Sequence, residues 1–391
     1  MPKFYFTSEE RIKSGELSDV YFPRAKEVLL EKGLAEKRVV ADIHSYSLPK
    51  DHQWAVLAGI EEVAHLLRGH NINVDAMREG TIFRLYEPVL SVEGAYTEFG
   101  VFEPSLLGLL RHSSSIATRA ARCKKVVGDK TIVFFGIRAV HPLITPMVDR
   151  AAFIGGCDAV SGTIGAEMIG EEPVGTMPHA LILVFEDQVK AWKTFDEVMS
   201  PEVPRIALCD TFYDEKIEAL MAARALGERL YGVRLDTPGS RKGDFREIAE
   251  ETRWTLDIHG FKHVKIFMSG GLNEYNLGEL REVADGFGVG TSIAFPPPVN
   301  MAMDIVELEG RPYSKKGKLS GKKQVYRCKE CFGDKMVPTK VAVDRCPRCG
   351  GEVEPLLKPL IREGEIVSDL PSARDIRDYV LQQLERVELR L

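Results

Sequence analysis

From about residue 130 the sequence repeats one unit: a short apolar run, then a helix-like stretch, then another apolar run. The runs are "TIVFFG" (131–136), "ALILVF" (180–185), "RIALCD" (205–210), "YGVRLD" (231–236), "VKIFMS" (264–269) and "GFGVG" (286–290). Between most of them lie segments such as "PLITPMVDRAAFIGG", "EKIEALMAARAL", "GDFREIAEETRWTLDIHG" and "NLGELREVA". In the third of these Asp244 is placed to begin a helix, with Glu247 three residues later. Strands that alternate with helices predict a parallel sheet with helical crossovers. Polar residues gather at the ends of the runs: Arg138 and His141, His179, Asp210 and Thr211, Arg234 and Asp236, Ser269 with Gly270 and Gly271, and Gly288 and Gly290. In an α/β barrel such ends converge on one mouth, where an active site is built. An open doubly wound sheet is possible, but a closed or nearly closed, irregular TIM-like α/β barrel is the expected fold.

The flanks read differently. Residues 1–115 are expected to form an N-terminal α+β domain, 116–300 the barrel, and 301–391 a C-terminal extension. In the first part "DHQWAVLAGIEEVAHLL" predicts a helix over 53–67, "TIFRLYEPVLSVEGAYTEF" predicts strands, and a helix is expected from Ser105 through "SIATRAARCKKVV". Past the triple proline of "FPPPVN", "RPYSKKGKLSGKKQ" reads as a polar connector, and "SARDIRDYVLQQLERVELRL" as an amphipathic helix.

The extension contains Cys328-x2-Cys331 and Cys346-x2-Cys349, 14 residues apart, a zinc-ribbon-like module over 325–355. Four thiolates are a preferred tetrahedral set for zinc, with rubredoxin-like iron as the alternative, and they leave no position for a catalytic water. A structural ion is the expectation. Between Arg311 and Gly350 twelve Lys or Arg face three acids, although the whole chain carries a formal charge of -6. That local excess raises nucleic-acid binding as an alternative function. Only Tyr326 and Phe332 are there to stack on bases, so solvated lysines are the simpler reading. Cys123, Cys157 and Cys209 are scattered through apolar stretches, which suits a reducing compartment such as the cytoplasm. No basic segment leading into an apolar run opens the chain and no 18-residue apolar window occurs, so neither export nor membrane spanning is expected.

"SGG" (269–271) and "GVGTS" (288–292) are glycine turns at run ends whose backbone N–H groups could cradle phosphate. Asp236 in "RLDTPG" reads equally as a ligand for a sugar diphosphate or as a turn cap before Pro238. Arg138 and Arg234 suit an anionic substrate or a surface ion pair. His179 suits catalysis or a satisfied strand end.

"SDVYFPRA" (18–25), "FFGIRAVHP" (134–142), "GGCDAVSGT" (155–163), "GTMPHALI" (175–182), "GVRLDTPG" (232–239), "FMSGGLNEYNL" (267–277) and "GFGVGTS" (286–292) together give the chain its likeness to known enzymes. It resembles the nicotinate phosphoribosyltransferases and, more distantly, the nicotinamide and quinolinate phosphoribosyltransferases, over roughly residues 10–300. The resemblance implies synthesis of nicotinate mononucleotide and pyrophosphate from nicotinate and phosphoribosyl pyrophosphate, with Mg2+ and with ATP as co-substrate. It also implies a homodimer with shared active sites, or a higher oligomer built from it. By that likeness Asp19 and Tyr21 reach into a second subunit's site, and Tyr21 and Phe135 stack on the two faces of the pyridine. Arg138 lies near the ring substituent and phosphate, His179 is phosphorylated by ATP, and Arg234 and Asp236 lie beside ribose and pyrophosphate. Ser269, Gly270, Gly271, Gly288, Gly290 and Thr291 form the phosphate turns. Asp158 falls where nicotinamide-using relatives keep an aspartate for the amide, and a carboxylate there would repel nicotinate unless a cation intervenes. A nicotinamide or quinolinate enzyme, a nucleic-acid-binding zinc-ribbon protein and a non-catalytic barrel stand as alternatives.

Overall fold

The computed structural model describes residues 4–241 and 243–391. It resolves into two compact units, one of residues 1–121 with 296–390 and the other of 122–295. Along the chain the principal strands are β1 (Arg38–Ser47), β2 (Ile72–Ala76), β3 (Pro88–Ala95), β4 (Thr131–Phe134), β5 (Ala159–Val160), β6 (Arg205–Leu208), β7 (Leu230–Leu235), β8 (Lys265–Ser269) and β9 (Gly286–Val289). After these come β10 (Asn300–Leu308), β11 (Lys323–Cys328), β12 (Asp334–Pro338), β13 (Val353–Pro355) and β14 (Lys358–Arg362).

The first unit is organised by an antiparallel sheet in the order β10-β1-β3-β2-β14, lengthened at its edges by Arg311–Pro312 and Glu365–Ile366. Val39, Ala41 and Ile43 of β1 enter the main core, together with Val74, Val89, Leu90, Val92 and Met301. On β1 the alternate residues Asp42 and His44 project to the opposite face, as the two-residue period of a strand requires. The helix Ile60–Leu67 buries Ile60, Val63, Ala64, Leu66 and Leu67 at three- and four-residue spacing.

The helix expected over 53–67 is shortened to these eight residues. Gly59 sits at φ 97, and a Cβ there would lie 2.6 Å from the Leu109 carbonyl oxygen, so the chain turns at that point. Before the turn Ala55–Val56 pairs with Ile82–Phe83.

The sequence after the proline run returns to the first unit, where the basic connector is pinned by ion pairs. Asp42 and Asp304 are directly opposed across β1 and β10. Two acids in that register would repel. Lys315 and Lys318 reach Asp304 at 2.7 and 2.8 Å, and Lys323 reaches Asp42 at 3.1 Å. Lys322 lies 2.8 Å from Asp75 and 3.2 Å from Glu93. Much of the local positive excess is thus spent on the unit's own carboxylates. The closing helix, Ala373–Leu384, starts at a Ser372–Asp375 capping box.

The second unit holds six parallel strands in the order β5-β4-β9-β8-β7-β6. Its crossovers include the helices Thr145–Ile154, Glu215–Leu226 and Phe245–Ile258. Asp244 caps the last of these by accepting from the backbone N–H groups of Arg246 and Glu247. The edges β5 and β6 are not paired with each other among the described residues, so the sheet is a curled half-barrel rather than a closed ring. Two elements differ from expectation. "ALILVF" is not a strand but lies in a helix, His179–Phe185, with Ile182 buried and Val184 81% exposed. A six-residue apolar run fits either structure, and here Pro178 in extended conformation begins a helix. The second strand of the unit is instead the two-residue β5, too short to leave a periodic signal. No helix among the described residues is long and apolar enough to cross a membrane.

Candidate active site and cysteine module

The C-terminal ends of the parallel strands meet around two adjoining cavities of about 890 and 850 Å3, both lined by Arg138, His179, Asp236, Gly270 and Gly271. Asp210 follows β6 and is almost fully buried, and its Oδ1 lies 3.0 Å from His179 Nε2. Its other oxygen accepts from the Asp236 backbone N–H at 2.9 Å. Burial raises the Asp210 carboxyl above its ordinary range, and the adjacent His179 opposes the shift. A neutral ring that donates Nε2–H to Asp210 keeps its lone pair on Nδ1.

Asp236 follows β7 and accepts from Ser269 Oγ at 2.8 Å. Arg234, two residues earlier on the same strand face, places Nη2 3.9 Å from Asp236 Oδ2 and donates to the Met177 carbonyl at 3.3 Å. Its guanidinium carbon lies 6.0 Å from the centre of the Phe135 ring. Burial lowers the Arg234 pKa, but a guanidinium keeps its charge at neutral pH.

Two glycines are required by close approach. At Gly288 a Cβ would stand 2.3 Å from Phe135 Cδ2, so the Phe135 ring lies against bare backbone. At Gly270, with φ +87, a Cβ would stand 3.0 Å from Asp236 Oδ1. Gly271, Gly290 and Thr291 complete the turns after the adjacent strands β8 and β9. The 270–276 loop is held by Asn273 and Asn276, by Ser292 Oγ on the Leu272 carbonyl at 2.9 Å, and by the buried Arg122–Glu274 pair at 2.7 Å.

The half-barrel therefore brings together Phe135, Arg138, His179, Arg234, Asp236, Ser269, Gly270, Gly271, Gly288, Gly290 and Thr291. Asp158 is not among them. It precedes β5, at the opposite end of the strands, where it accepts from Lys124 Nζ at 2.9 Å and from the Ile132 N–H at 2.8 Å. The expectation of an acid facing the substrate amide is corrected accordingly, and the residue that β5 does deliver to the cavity is Ser161. Asp19 and Tyr21 belong to the first unit, where Tyr21 is 59% exposed and its hydroxyl lies 3.2 Å from Asp19 Oδ2. Asp210 was visible as a strand-end acid but had no assigned role; its contact with His179 depends on a helix that the apolar run did not reveal.

The cysteine module lies in the first unit, as a three-stranded sheet in the order β12-β11-β13. The ligand atoms of Cys328, Cys331, Cys346 and Cys349 all fall within 4.8 Å of one another. The 328–349 and 331–346 sulfur pairs are 3.4 and 3.6 Å apart. A zinc tetrahedron with bonds of ~2.3 Å requires edges of ~3.8 Å, so the four sulfurs fit such an ion. The Cys331 and Arg348 N–H groups point at the Cys328 and Cys346 sulfurs, each at 3.4 Å. Phe332, in the left-handed region at φ 56, lies beneath the Arg327 guanidinium at 4.3 Å, with Arg84 and Arg386 nearby. Arg327 also binds Asp334 through both carboxylate oxygens, at 2.8 and 2.7 Å.

Comparison with known proteins agrees with this geometry. The family model for the quinolinate phosphoribosyl transferase N-terminal domain matches residues 19–114, and that for its C-terminal domain matches 116–304. A nicotinate phosphoribosyltransferase of Bacillus subtilis is 27% identical over 360 residues, which span 79% of this chain and 72% of its own. The crystal structure of nicotinate-nucleotide pyrophosphorylase from Pyrococcus furiosus is 57% identical, with a TM-score of 0.98 over 100% of both chains. Human nicotinic acid phosphoribosyltransferase shares the fold, with a TM-score of 0.77 at 19% identity over 95% of this chain and 94% of its own. The chain belongs to the nicotinate phosphoribosyltransferase family, on the quinolinate phosphoribosyl transferase domain pair.

Proposed function

We propose that the protein transfers the phosphoribosyl group of phosphoribosyl pyrophosphate to the ring nitrogen of nicotinate, releasing pyrophosphate and nicotinate mononucleotide in NAD salvage. The observation that carries this reading is the convergence of Arg138, Arg234, His179 and Asp236 with two glycine turns on one strand-end cavity. The reaction separates a pyrophosphate from a ribose carbon that gains positive charge. Asp236 lies where it can hold the sugar and offset that charge, while Arg138 and Arg234 hold anionic groups. The hard oxygens of Asp236 suit Mg2+ carried in with the diphosphate, where the ion would offset leaving-group charge. Phe135 offers one stacking face, worth about 1 kcal/mol beyond area burial. Tyr21 of a second copy supplies the other in a dimer with shared sites, and Asp19 orients it.

With Asp158 tied to Lys124 at the far end of the strands, the carboxylate expected to repel nicotinate is removed from the cavity. His179, fixed through Nε2, presents Nδ1 as acceptor for the γ-phosphoryl group of ATP, which couples hydrolysis to transfer. The four cysteines hold a structural zinc, and the half-barrel is the open counterpart of the irregular TIM-like barrel. The lack of any disulfide among the described cysteines suits the cytoplasm.

Steady-state rates with nicotinate, nicotinamide and quinolinate test the substrate. Nicotinate should give the largest kcat/KM, and a larger value for either other pyridine refutes the assignment. Acid-labile phosphate from labelled ATP should appear on the wild type and vanish in His179→Ala.

A further inference from the structure

The Glu218 side chain is fully buried on the first turn of the helix Glu215–Leu226, outside the two cavities. Its carboxylate accepts three consecutive backbone N–H groups, Thr211 at 3.0 Å, Phe212 at 2.7 Å and Tyr213 at 2.9 Å. These are the three residues that follow Asp210. Among the described residues no cation pairs with Glu218, so the charge is satisfied by amides and by its position near a helix N-terminus. An acid carried into the core for this purpose has one structural consequence, which is to set the path of the 211–213 turn. That turn directly follows Asp210, whose two oxygens meet His179 Nε2 and the Asp236 N–H. A glutamine in the same place would keep one acceptor and turn an NH2 group onto an N–H donor.

We infer that Glu218 is a positioning residue that aims Asp210 at His179 and so fixes the ring orientation of the histidine. The inference rests on the proposed reading of His179, but its primary readout does not require transferase activity. In the full-length protein, the ring nitrogen and proton resonances of His179, assigned with His179→Gln, report the contact to Asp210. Asp210→Asn defines the signals of the broken contact. Glu218→Gln should move the His179 signals toward those of Asp210→Asn and lower kcat by about tenfold or more, with the KM for nicotinate changed less than twofold. Ala222→Gly, a buried change on the same helix, controls for lost stability and should leave the His179 signals in place. If Glu218→Gln does not fold, Glu218→Asp, which keeps the charge but shortens the reach, is read the same way. His179 signals that stay at the wild-type position while Tm falls would overturn the inference, leaving Glu218 a stabilising residue only. An enzyme inactive on every pyridine would refute the proposed function but leave the resonance test intact.

Discussion

The strand-end mouth and the cysteine module both crowd charged groups into partly buried places, yet they finish them differently. In the mouth, Asp236 lies 3.9 Å from Arg234, and the partly exposed His179 lines both cavities. In the module, Asp334 takes both arms of Arg327, Arg84 joins the same carboxylate, and the Phe332 ring is covered by guanidinium. Four sulfurs converge within 4.8 Å of one another, a full ligand set for one tetrahedral ion. Groups left with spare valence toward a cavity are available to a ligand. Groups that saturate one another stabilise the fold and do no chemistry.

The contrast can be broken most forcefully at the metal. Cys331→Ser should abolish stoichiometric metal and lower the thermal stability of the first unit by several kcal/mol, since structural zinc binding is folding energy of up to ~10–16 kcal/mol. Metal analysis and calorimetry check this. Gly288→Ala forces a methyl group against the Phe135 ring, and should raise the KM for nicotinate by about tenfold, equivalent to ~1.4 kcal/mol, and lower stability by about 1–3 kcal/mol. Phe332→Leu removes the cation–π contacts but keeps an apolar side chain; denaturation should show a loss of about 1–2 kcal/mol, with metal retained.

A pH-dependent effect concerns Glu87, beside the module's ion pairs. Burial, and then the nearby Asp334, push its pKa from 4.5 up to about 7. A carboxyl raised in the folded state binds more protons there than when unfolded. Its contribution is therefore complete below about 4.5 and is lost as pH rises toward about 7. Glu87→Gln should flatten the stability profile across that window, and a profile as steep as that of the wild type contradicts this.

The alternation of strands and helices after residue 130 made the parallel sheet legible, and the polar residues at run ends foretold its mouth. What the sequence did not disclose has local physical causes. "ALILVF" carries no periodicity that separates helix from strand. The two-residue β5 reverses the placement of its neighbours: Asp158 before it pairs with Lys124 at one end, and Ser161 after it reaches the cavity at the other. Glu218, in "EKIEAL", looks like any acid in a first helical turn until the three amides of a preceding turn are seen folded onto it. Lys322 and Lys323 looked solvated because their partners, Asp42, Asp75 and Glu93, lie more than two hundred residues away.

The division of labour between the two regions is tested most directly by kcat/KM for nicotinate in wild type, Asp236→Asn and Cys331→Ser, each corrected for its folded fraction. Asp236→Asn should lose about 100-fold or more while keeping metal and Tm, and folded Cys331→Ser should stay within about twofold of wild type. Full activity in Asp236→Asn, or its loss in folded Cys331→Ser, would contradict the placement of the chemistry.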